Sequence, residues 1–165
     1  MTSHANPSAT AELHVTFVCT GNICRSPMGD VILNSIIQAK GLADRVIVDS
    51  CGIGGWHVGQ KADKRALAEL ARAGFDGSRH RASQIDERKE EADLLIAMDE
   101  GHVRDLARLG VPSSRIRLLR SFDPTATDSN VEDPYYGSER DFTTARTQIE
   151  QAMPGILEWI YSQLD

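Results

Sequence analysis

The segment at residues 19–26, Cys-Thr-Gly-Asn-Ile-Cys-Arg-Ser, joins an apolar run at 13–18 to a stretch with helical periodicity. A short loop between a buried strand and a helix commonly binds anions. Its backbone N–H groups point at the ligand, and the helix N-terminus carries partial positive charge. The segment therefore predicts an anion-binding loop at the end of the first strand.

The side chains of this loop indicate chemistry on a phosphoryl group. Cys19 supplies a thiol whose anion the N–H groups and the helix dipole would stabilise as a nucleophile. Arg25 offers a planar fork that matches two phosphate oxygens. Gly21 and Asn22 tolerate the left-handed backbone that a concave loop needs. A lone cysteine is more often a small buried residue, so the prediction rests on the complete run.

Two residues after the arginine concern the start of the helix. Ser26 is expected to cap the helix and to offer its hydroxyl to the sulfur of Cys19. Pro27 suits the first helical position, where a missing N–H costs nothing.

Four short apolar runs, at 13–18, 46–49, 94–97 and 116–119, alternate with helical patterns. Nearly continuous apolar runs are typical of strands that are buried on both faces of a parallel sheet. Strands that alternate with helices imply right-handed crossover connections. We therefore predict an α/β fold, with a single doubly wound sheet of four parallel strands, helices on both faces and a phosphate-binding loop after strand 1.

Ligands of such sheets bind beyond the C-terminal ends of the strands. Cys19, Ser50 and Asp99 directly follow the first three strands, and Asp123 lies beyond the fourth, so we expect them at one edge of the sheet. Pro154 interrupts the last helical pattern, where a kink or a break is expected.

The bulk properties fit one small domain. At 165 residues the chain can bury an adequate core, and residues 1–11 are predicted to be a disordered tail before a domain at 12–165. No run approaches 18 apolar residues, so no membrane association is expected. Three cysteines suggest a reducing compartment, and the start of the chain lacks a secretory pattern. We expect a cytoplasmic protein, and export without a leader stays open.

Charge and histidine spacing limit the partners. The net charge of −6 argues against nucleic acid, and most of the negative excess lies after residue 85, away from Cys19. The five histidines show no metal-ligand spacing, so neither a metal nor another cofactor is expected.

The chain resembles the low-molecular-weight protein tyrosine phosphatases, and in particular their actinobacterial members, from about Leu13 to the C-terminal helix. The resemblance rests mainly on the loop at 19–26 and on Glu-Asp-Pro-Tyr-Tyr-Gly at 132–137. Weaker matches lie at 49–50, 56–59, 80–82 and 98–99. The resemblance implies a metal-independent protein tyrosine phosphatase that hydrolyses phosphotyrosine through a cysteinyl-phosphate intermediate.

The same resemblance assigns the proton-transfer role to Asp133, beside Cys19 and Arg25. The leaving phenolate must receive a proton when the S–P bond forms, and a water must later lose one. From the residues alone, an ordinary Asp-Pro turn is the favoured interpretation of Asp133, and Asp128 and Glu132 are nearby carboxylates less suited to the role.

Substrate contacts are implied in two groups. Trp56, Tyr135 and Tyr136 would form walls for an aromatic ring, with cover over the core and turn packing as the alternatives. The loop residues expected to contact the phosphoryl group are Thr20, Gly21, Asn22, Ile23, Cys24 and Ser26.

Further residues are implied to support the loop. Ser50 and His80 resemble the family's hydrogen-bond network, although His80 could otherwise be a surface imidazole. Cys24 could trap an oxidised Cys19 as a reversible disulfide or could simply pack, and Cys51 is expected in the core.

Gly29-Asp30 stands where relatives usually have Ala-Glu, and Cys51 stands where they usually have Ala or Gly. We expect these departures to affect local stability and to touch no catalytic group.

Three alternatives share the fold or the loop. Arsenate reductases need later cysteines, and none follows Cys51. In protein arginine phosphatases the resemblance expects threonine at the position of Ile23 and no tyrosine pair after Asp-Pro. A non-catalytic phosphotyrosine-binding module would not need Cys19, Arg25 and Asp133 together.

The expected partners are therefore phosphotyrosine-containing protein substrates, with a cognate tyrosine kinase as a further partner. Phosphate or another oxyanion is expected in the active site.

Overall fold

The structure is a computed structural model that describes residues 11–164. The tail predicted at 1–11 thus lies outside the described residues, apart from Ala11. The strands are β1 (Leu13–Cys19), β2 (Val46–Gly52), β3 (Leu94–Ala97) and β4 (Ile116–Leu118). The helices are α1 (Arg25–Ala39), α2 (Lys64–Arg72), α3 (Glu87–Glu90), α4 (Glu100–Arg108) and α5 (Glu139–Gln163), with two 3₁₀ turns at Ser113–Arg115 and Leu119–Phe122.

All strand pairs of the sheet are parallel, and the strand order is β2-β1-β3-β4. β1 is central, with Val15 paired to Val48 on one side and to Leu94 on the other. The chain moves outward from β1 to β2 and then returns to the other side, which places the topological switch point between β1 and β3. Ligands of open α/β sheets bind at such a point.

Alternate residues of β1 face two different cores. Phe17 belongs to the larger core, which α1, α2 and α5 cover. Val18 belongs to the smaller one, together with Leu106 of α4. The predicted fold, a doubly wound four-stranded parallel sheet with helices on both faces, is therefore confirmed.

Gly29 explains how closely α1 approaches β1. A Cβ atom built on Gly29 would lie 2.6 Å from Cδ1 of Phe17, so the absent side chain makes room for the ring. The departure from the family's Ala-Glu pair thus has a packing reason in this chain.

The prediction that Ser26 caps the first helix is wrong, and so is the break that was one of the two outcomes expected at Pro154. α1 begins at Arg25, so Ser26 lies inside the helix and does not cap it. α5 runs through Pro154 without a break. The buried neighbours Met153 and Ile156 anchor the helix on both sides of the proline, and we attribute its continuity to that packing.

Within residues 11–164, no helix combines the length and the apolar character that a membrane span requires.

Candidate active site

The loop after β1 obtains its curvature from one residue. Asn22 has φ 60°, which makes it the single non-glycine residue with positive φ between residues 11 and 164. Gly21 does not have a positive φ, so its predicted left-handed conformation is wrong. Gly21 is needed for space instead, because a Cβ there would lie 2.9 Å from Cδ2 of His57.

Hydrogen bonds hold Asn22 in this strained conformation from three directions. Its Nδ2 donates to Oγ of Ser26 at 2.8 Å and to Oγ of Ser50 at 3.0 Å. Its Oδ1 accepts from the backbone N–H of Ser83 at 2.9 Å. Its carbonyl accepts from Nε2 of His80 at 2.8 Å. The structure thus brings Ser50 and His80 to the loop, and it adds Ser83 to the set.

Asp30 extends this network through Ser50, which was expected to support the loop, and the contacts of its carboxylate are to Ser50 and Asn34. Ser50 donates to Oδ2 of Asp30 at 2.7 Å, and Asn34 donates to Oδ1 at 2.6 Å. Burial raises the pKa of Asp30 to about 6. The overlooked signal is the four-residue spacing of Ser26, Asp30 and Asn34, which places them on one face of α1.

The sulfur of Cys19 lies at hydrogen-bond distance from the hydroxyl of Ser26. Its Sγ lies 2.9 Å from Oγ of Ser26, and both residues are buried. Oγ of Ser26 accepts from Nδ2 of Asn22 and lies 3.5 Å from the carbonyl of Cys51, so the sulfur is the nearer acceptor for its proton. The sequence predicted this contact between the hydroxyl and the sulfur.

Arg25 is buried to 2 % exposure and is anchored from the β3 side of the switch point. Its Nη1 donates to Oδ2 of Asp99 at 2.7 Å and to the carbonyl of Val131 at 2.8 Å. Burial alone would raise the pKa of Asp99, but the hydrogen bond from Arg25 keeps it below its ordinary value. The guanidinium therefore has a permanent anionic partner.

The loop that carries Asp133 is attached to the same place. Val131 donates its N–H to the carbonyl of Met98 at 2.9 Å, directly after β3. Oδ1 of Asp133 accepts from the N–H of Tyr135 at 3.1 Å, which is the turn contact, and Oδ2 lies 3.6 Å from Nη2 of Arg25. Asp133 thus forms the turn contact and also faces the pocket, so the two interpretations are compatible.

The other two carboxylates are placed differently. Asp128 forms an ion pair with Arg120. Neither Asp128 nor Glu132 lines the pocket that holds Cys19. Of the three carboxylates that the sequence offered, Asp133 is the one that lines this pocket.

The pocket above the loop has a volume of about 290 Å³. Trp56 and Tyr136 are 72 % and 93 % exposed, so neither side chain covers the core. The rings of Tyr135 and Tyr136 meet edge to face, with centroids 4.9 Å apart. The pocket is lined by Cys19, Thr20, Gly21, Ile23, Cys24, Arg25, Trp56, His57, Asp133, Tyr135 and Tyr136.

The structure reveals one pair that the sequence did not suggest. Oγ1 of Thr20 lies 2.9 Å from Nε2 of His102, which is 3 % exposed at the start of α4. His102 stands three residues after Asp99, which is the capping-box position, and this spacing was the available signal.

The cysteines are free thiols, and all three are buried. Cys51 is fully buried, as predicted. Burial raises the pKa of Cys24 well above its ordinary value. Cys24 both lines the pocket and belongs to the larger core, so its redox and packing roles both stay open. Across residues 11–164, no group of three or more His, Cys, Asp or Glu side chains is arranged to hold a metal ion.

A buried thiol and a guanidinium on one anion-binding loop define the class of cysteine-dependent phosphatases. The family model described as low molecular weight phosphotyrosine protein phosphatase matches residues 14–164. The chain is 48 % identical over 154 residues to low molecular weight protein-tyrosine phosphatase A of Mycobacterium tuberculosis, covering 92 % of this chain and 94 % of the relative.

Solved structures agree. A protein tyrosine phosphatase from Entamoeba histolytica has a TM-score of 0.84 and 29 % identity, over 92 % of this chain and 99 % of that one. YfkJ from Bacillus subtilis has a TM-score of 0.87 and 31 % identity, over 94 % of this chain and 98 % of that one. The chain therefore belongs to the low molecular weight phosphotyrosine protein phosphatase family, which confirms the predicted family and enzyme class.

Proposed function

We propose that this protein removes the phosphoryl group from phosphotyrosine in protein substrates, with Cys19, Arg25 and Asp133 as its catalytic residues. The observation that carries the proposal is their convergence in one pocket. The Cys19 sulfur lies 2.9 Å from the Ser26 hydroxyl, and the Asp133 carboxylate lies 3.6 Å from the Arg25 guanidinium.

The first step transfers the phosphoryl group to the enzyme. The Cys19 thiolate attacks phosphorus, so the S–P bond forms while the P–O bond to the tyrosine breaks. Asp133, protonated at this stage, gives its proton to the departing phenolate. Arg25 and the N–H groups of the loop neutralise the charge on the phosphoryl oxygens, which is the main source of acceleration at such sites.

The second step returns the thiolate. Water attacks the cysteinyl phosphate, and Asp133, now a carboxylate, accepts a proton from that water. The S–P bond breaks and inorganic phosphate leaves. The Ser26 hydroxyl stabilises the released thiolate through the contact already described.

The pocket mouth supports an aromatic substrate. Trp56, Tyr135 and Tyr136 line it and offer ring surface against which the ring of a phosphotyrosine can pack. We expect inorganic phosphate and related oxyanions to bind the same loop, and a cognate tyrosine kinase to supply the substrate. The three free thiols fit a reducing, cytoplasmic setting.

The proposal is tested with p-nitrophenyl phosphate and with one peptide in phosphotyrosine and phosphoarginine forms. The wild type should hydrolyse the aryl phosphate and the phosphotyrosine peptide, and Cys19→Ser should lose at least about 10³-fold in kcat while keeping its fold. Cys51→Ser is the matched control with a buried cysteine outside the pocket. Activity that survives in Cys19→Ser, or a preference for phosphoarginine, would reject the proposal.

A further inference from the structure

The side chain of Thr20 contacts a buried histidine, His102, which lies on the other side of the switch point. Thr20 follows Cys19 directly and lines the pocket, and its Oγ1 lies 2.9 Å from Nε2 of His102. The two residues are 82 positions apart in the chain. The contact joins the phosphate-binding loop to the start of α4.

The surroundings of His102 decide which atom donates in this contact. Nδ1 of His102 lies 3.3 Å from the backbone N–H of Asp99. Within the described part of the chain, this N–H has no other acceptor at hydrogen-bond distance, and a half-buried N–H needs one. Nδ1 also lies 3.3 Å from Oδ1 of Asp99, which accepts from the N–H of His102 at 3.2 Å, but a proton on Nδ1 would leave the N–H of Asp99 without its acceptor.

His102 is neutral at physiological pH. Its burial, together with the nearby Arg25 charge, lowers its pKa to about 4. A neutral imidazole carries one proton. Because Nδ1 accepts from Asp99, the proton sits on Nε2, which therefore donates to Oγ1 of Thr20.

A hydroxyl that accepts one hydrogen bond keeps its own proton for another partner. We propose that the Thr20 hydroxyl donates a side-chain hydrogen bond to an oxygen of the bound phosphoryl group, and that His102 is the positioning residue that orients it. Thr20 would thus add a side-chain donor to the backbone N–H groups of the loop. This inference rests on the proposed function, because it concerns the same pocket.

The same helix start also orients the second side-chain donor. Oδ2 of Asp99 accepts from Nη1 of Arg25 at 2.7 Å, while Oδ1 of Asp99 caps α4 through the N–H of His102. The Asp99–His102 pair therefore places Arg25 and Thr20 relative to each other. Both donors therefore contact residues of one helix cap.

The direct test compares Thr20→Val, which removes the hydroxyl and keeps the shape, with Thr20→Ser, which keeps the hydroxyl. The probe is inorganic phosphate as a competitive inhibitor of p-nitrophenyl phosphate hydrolysis. Thr20→Val should weaken phosphate binding by about 10-fold or more, as expected for a lost hydrogen bond to a charged group, and Thr20→Ser should stay within about 3-fold of wild type. Unchanged phosphate binding in Thr20→Val would overturn the inference.

The positioning role is tested with His102→Leu alone and combined with Thr20→Val. His102→Leu should weaken phosphate binding about 3-fold or more in the wild-type background and add little in the Thr20→Val background. An equal loss in both backgrounds would contradict the coupling. Since His102→Leu disturbs a buried site, ¹⁵N spectra of wild-type His102 provide an independent measure. A proton on Nδ1 instead of Nε2 would reverse the donor assignment and overturn the inference.

The two proposals fail in different ways. Hydrolysis that does not depend on Cys19 rejects the proposed function. A Cys19-dependent enzyme whose Thr20→Val variant binds phosphate normally rejects only the role of the hydroxyl.

Discussion

The Arg25 guanidinium donates a 2.7 Å hydrogen bond to the Asp99 carboxylate, although 74 residues separate them along the chain. Arg25 begins α1 after β1, and Asp99 follows β3, so the bond crosses the switch point of the sheet. The cation that would hold phosphate is therefore oriented by a strand other than the one that carries the nucleophile.

Asp99→Asn should show how much the orientation of Arg25 contributes to kcat/KM. The amide keeps the cap of α4 but removes the charge that faces Arg25. We expect kcat/KM for p-nitrophenyl phosphate to fall about 10-fold or more, because small misplacements of a catalytic group are costly. Asp105→Asn, at a partly exposed carboxylate of the same helix that pairs with Arg108, is the control and should leave kcat/KM unchanged. Wild-type kcat/KM in Asp99→Asn would show that Arg25 needs no such partner.

Asp133→Asn should lower kcat by an amount that depends on the basicity of the leaving group, which is the mark of general acid catalysis. Loss of a positioned proton donor typically costs about 10²–10⁴-fold in rate. The loss in kcat should be larger for phenyl phosphate, whose phenolate is the more basic, than for p-nitrophenyl phosphate. Glu132→Gln, the neighbouring exposed carboxylate, provides the matched comparison. Equal losses for the two esters would argue against proton donation by Asp133.

Glu69→Gln should destabilise the fold in a pH-dependent way. Glu69 is 1 % exposed and accepts hydrogen bonds from Arg72 of its own helix and from Thr143 and Arg146, which tie α2 to α5. Burial works against the carboxylate, but these bonds lower the pKa of Glu69 to about 2. Its stabilising effect is therefore complete above the ordinary glutamate pKa and is lost as pH falls towards 2.

Urea denaturation at pH 7 and pH 3 measures this effect. We expect Glu69→Gln to lower the free energy of unfolding by about 2–3 kcal/mol at pH 7 and by clearly less at pH 3. The exposed Glu158→Gln on α5 should change it little at either pH. A constant difference between wild type and Glu69→Gln across this range would contradict the assignment.

Gly29→Ala should destabilise α1 even though alanine is the better helix former. The gain in helix propensity is about 1 kcal/mol, whereas the new Cβ would press on the ring of Phe17 at 2.6 Å. Overpacking of this kind costs about 1–3 kcal/mol, so thermal unfolding should move to lower temperature. Combining Gly29→Ala with Phe17→Leu should recover part of the loss. A more stable Gly29→Ala variant would show that the ring simply moves aside.

Much of the site could be predicted because it is local. Cys19, Asn22 and Arg25 lie within seven residues, and the geometry of one strand–loop–helix junction relates them without help from the rest of the fold. The four apolar runs predicted the strands within a few residues, because strands buried on both faces tolerate few polar side chains. The errors near these elements, at Gly21 and Ser26, concern backbone angles and helix starts.

The contacts that orient those groups could not be predicted in the same way. Thr20 with His102 and Arg25 with Asp99 meet across the boundary between β1 and β3, at separations that leave no periodic signal. Pro154 within α5 shows the same limit, since buried neighbours override a strong local preference.

Residues that are neighbours in the sequence were thus enough to predict the nucleophile, its anion-binding loop and the strands. Which carboxylates and imidazoles face that loop was decided by parallel pairing, because only the assembled sheet brings the ends of distant strands together.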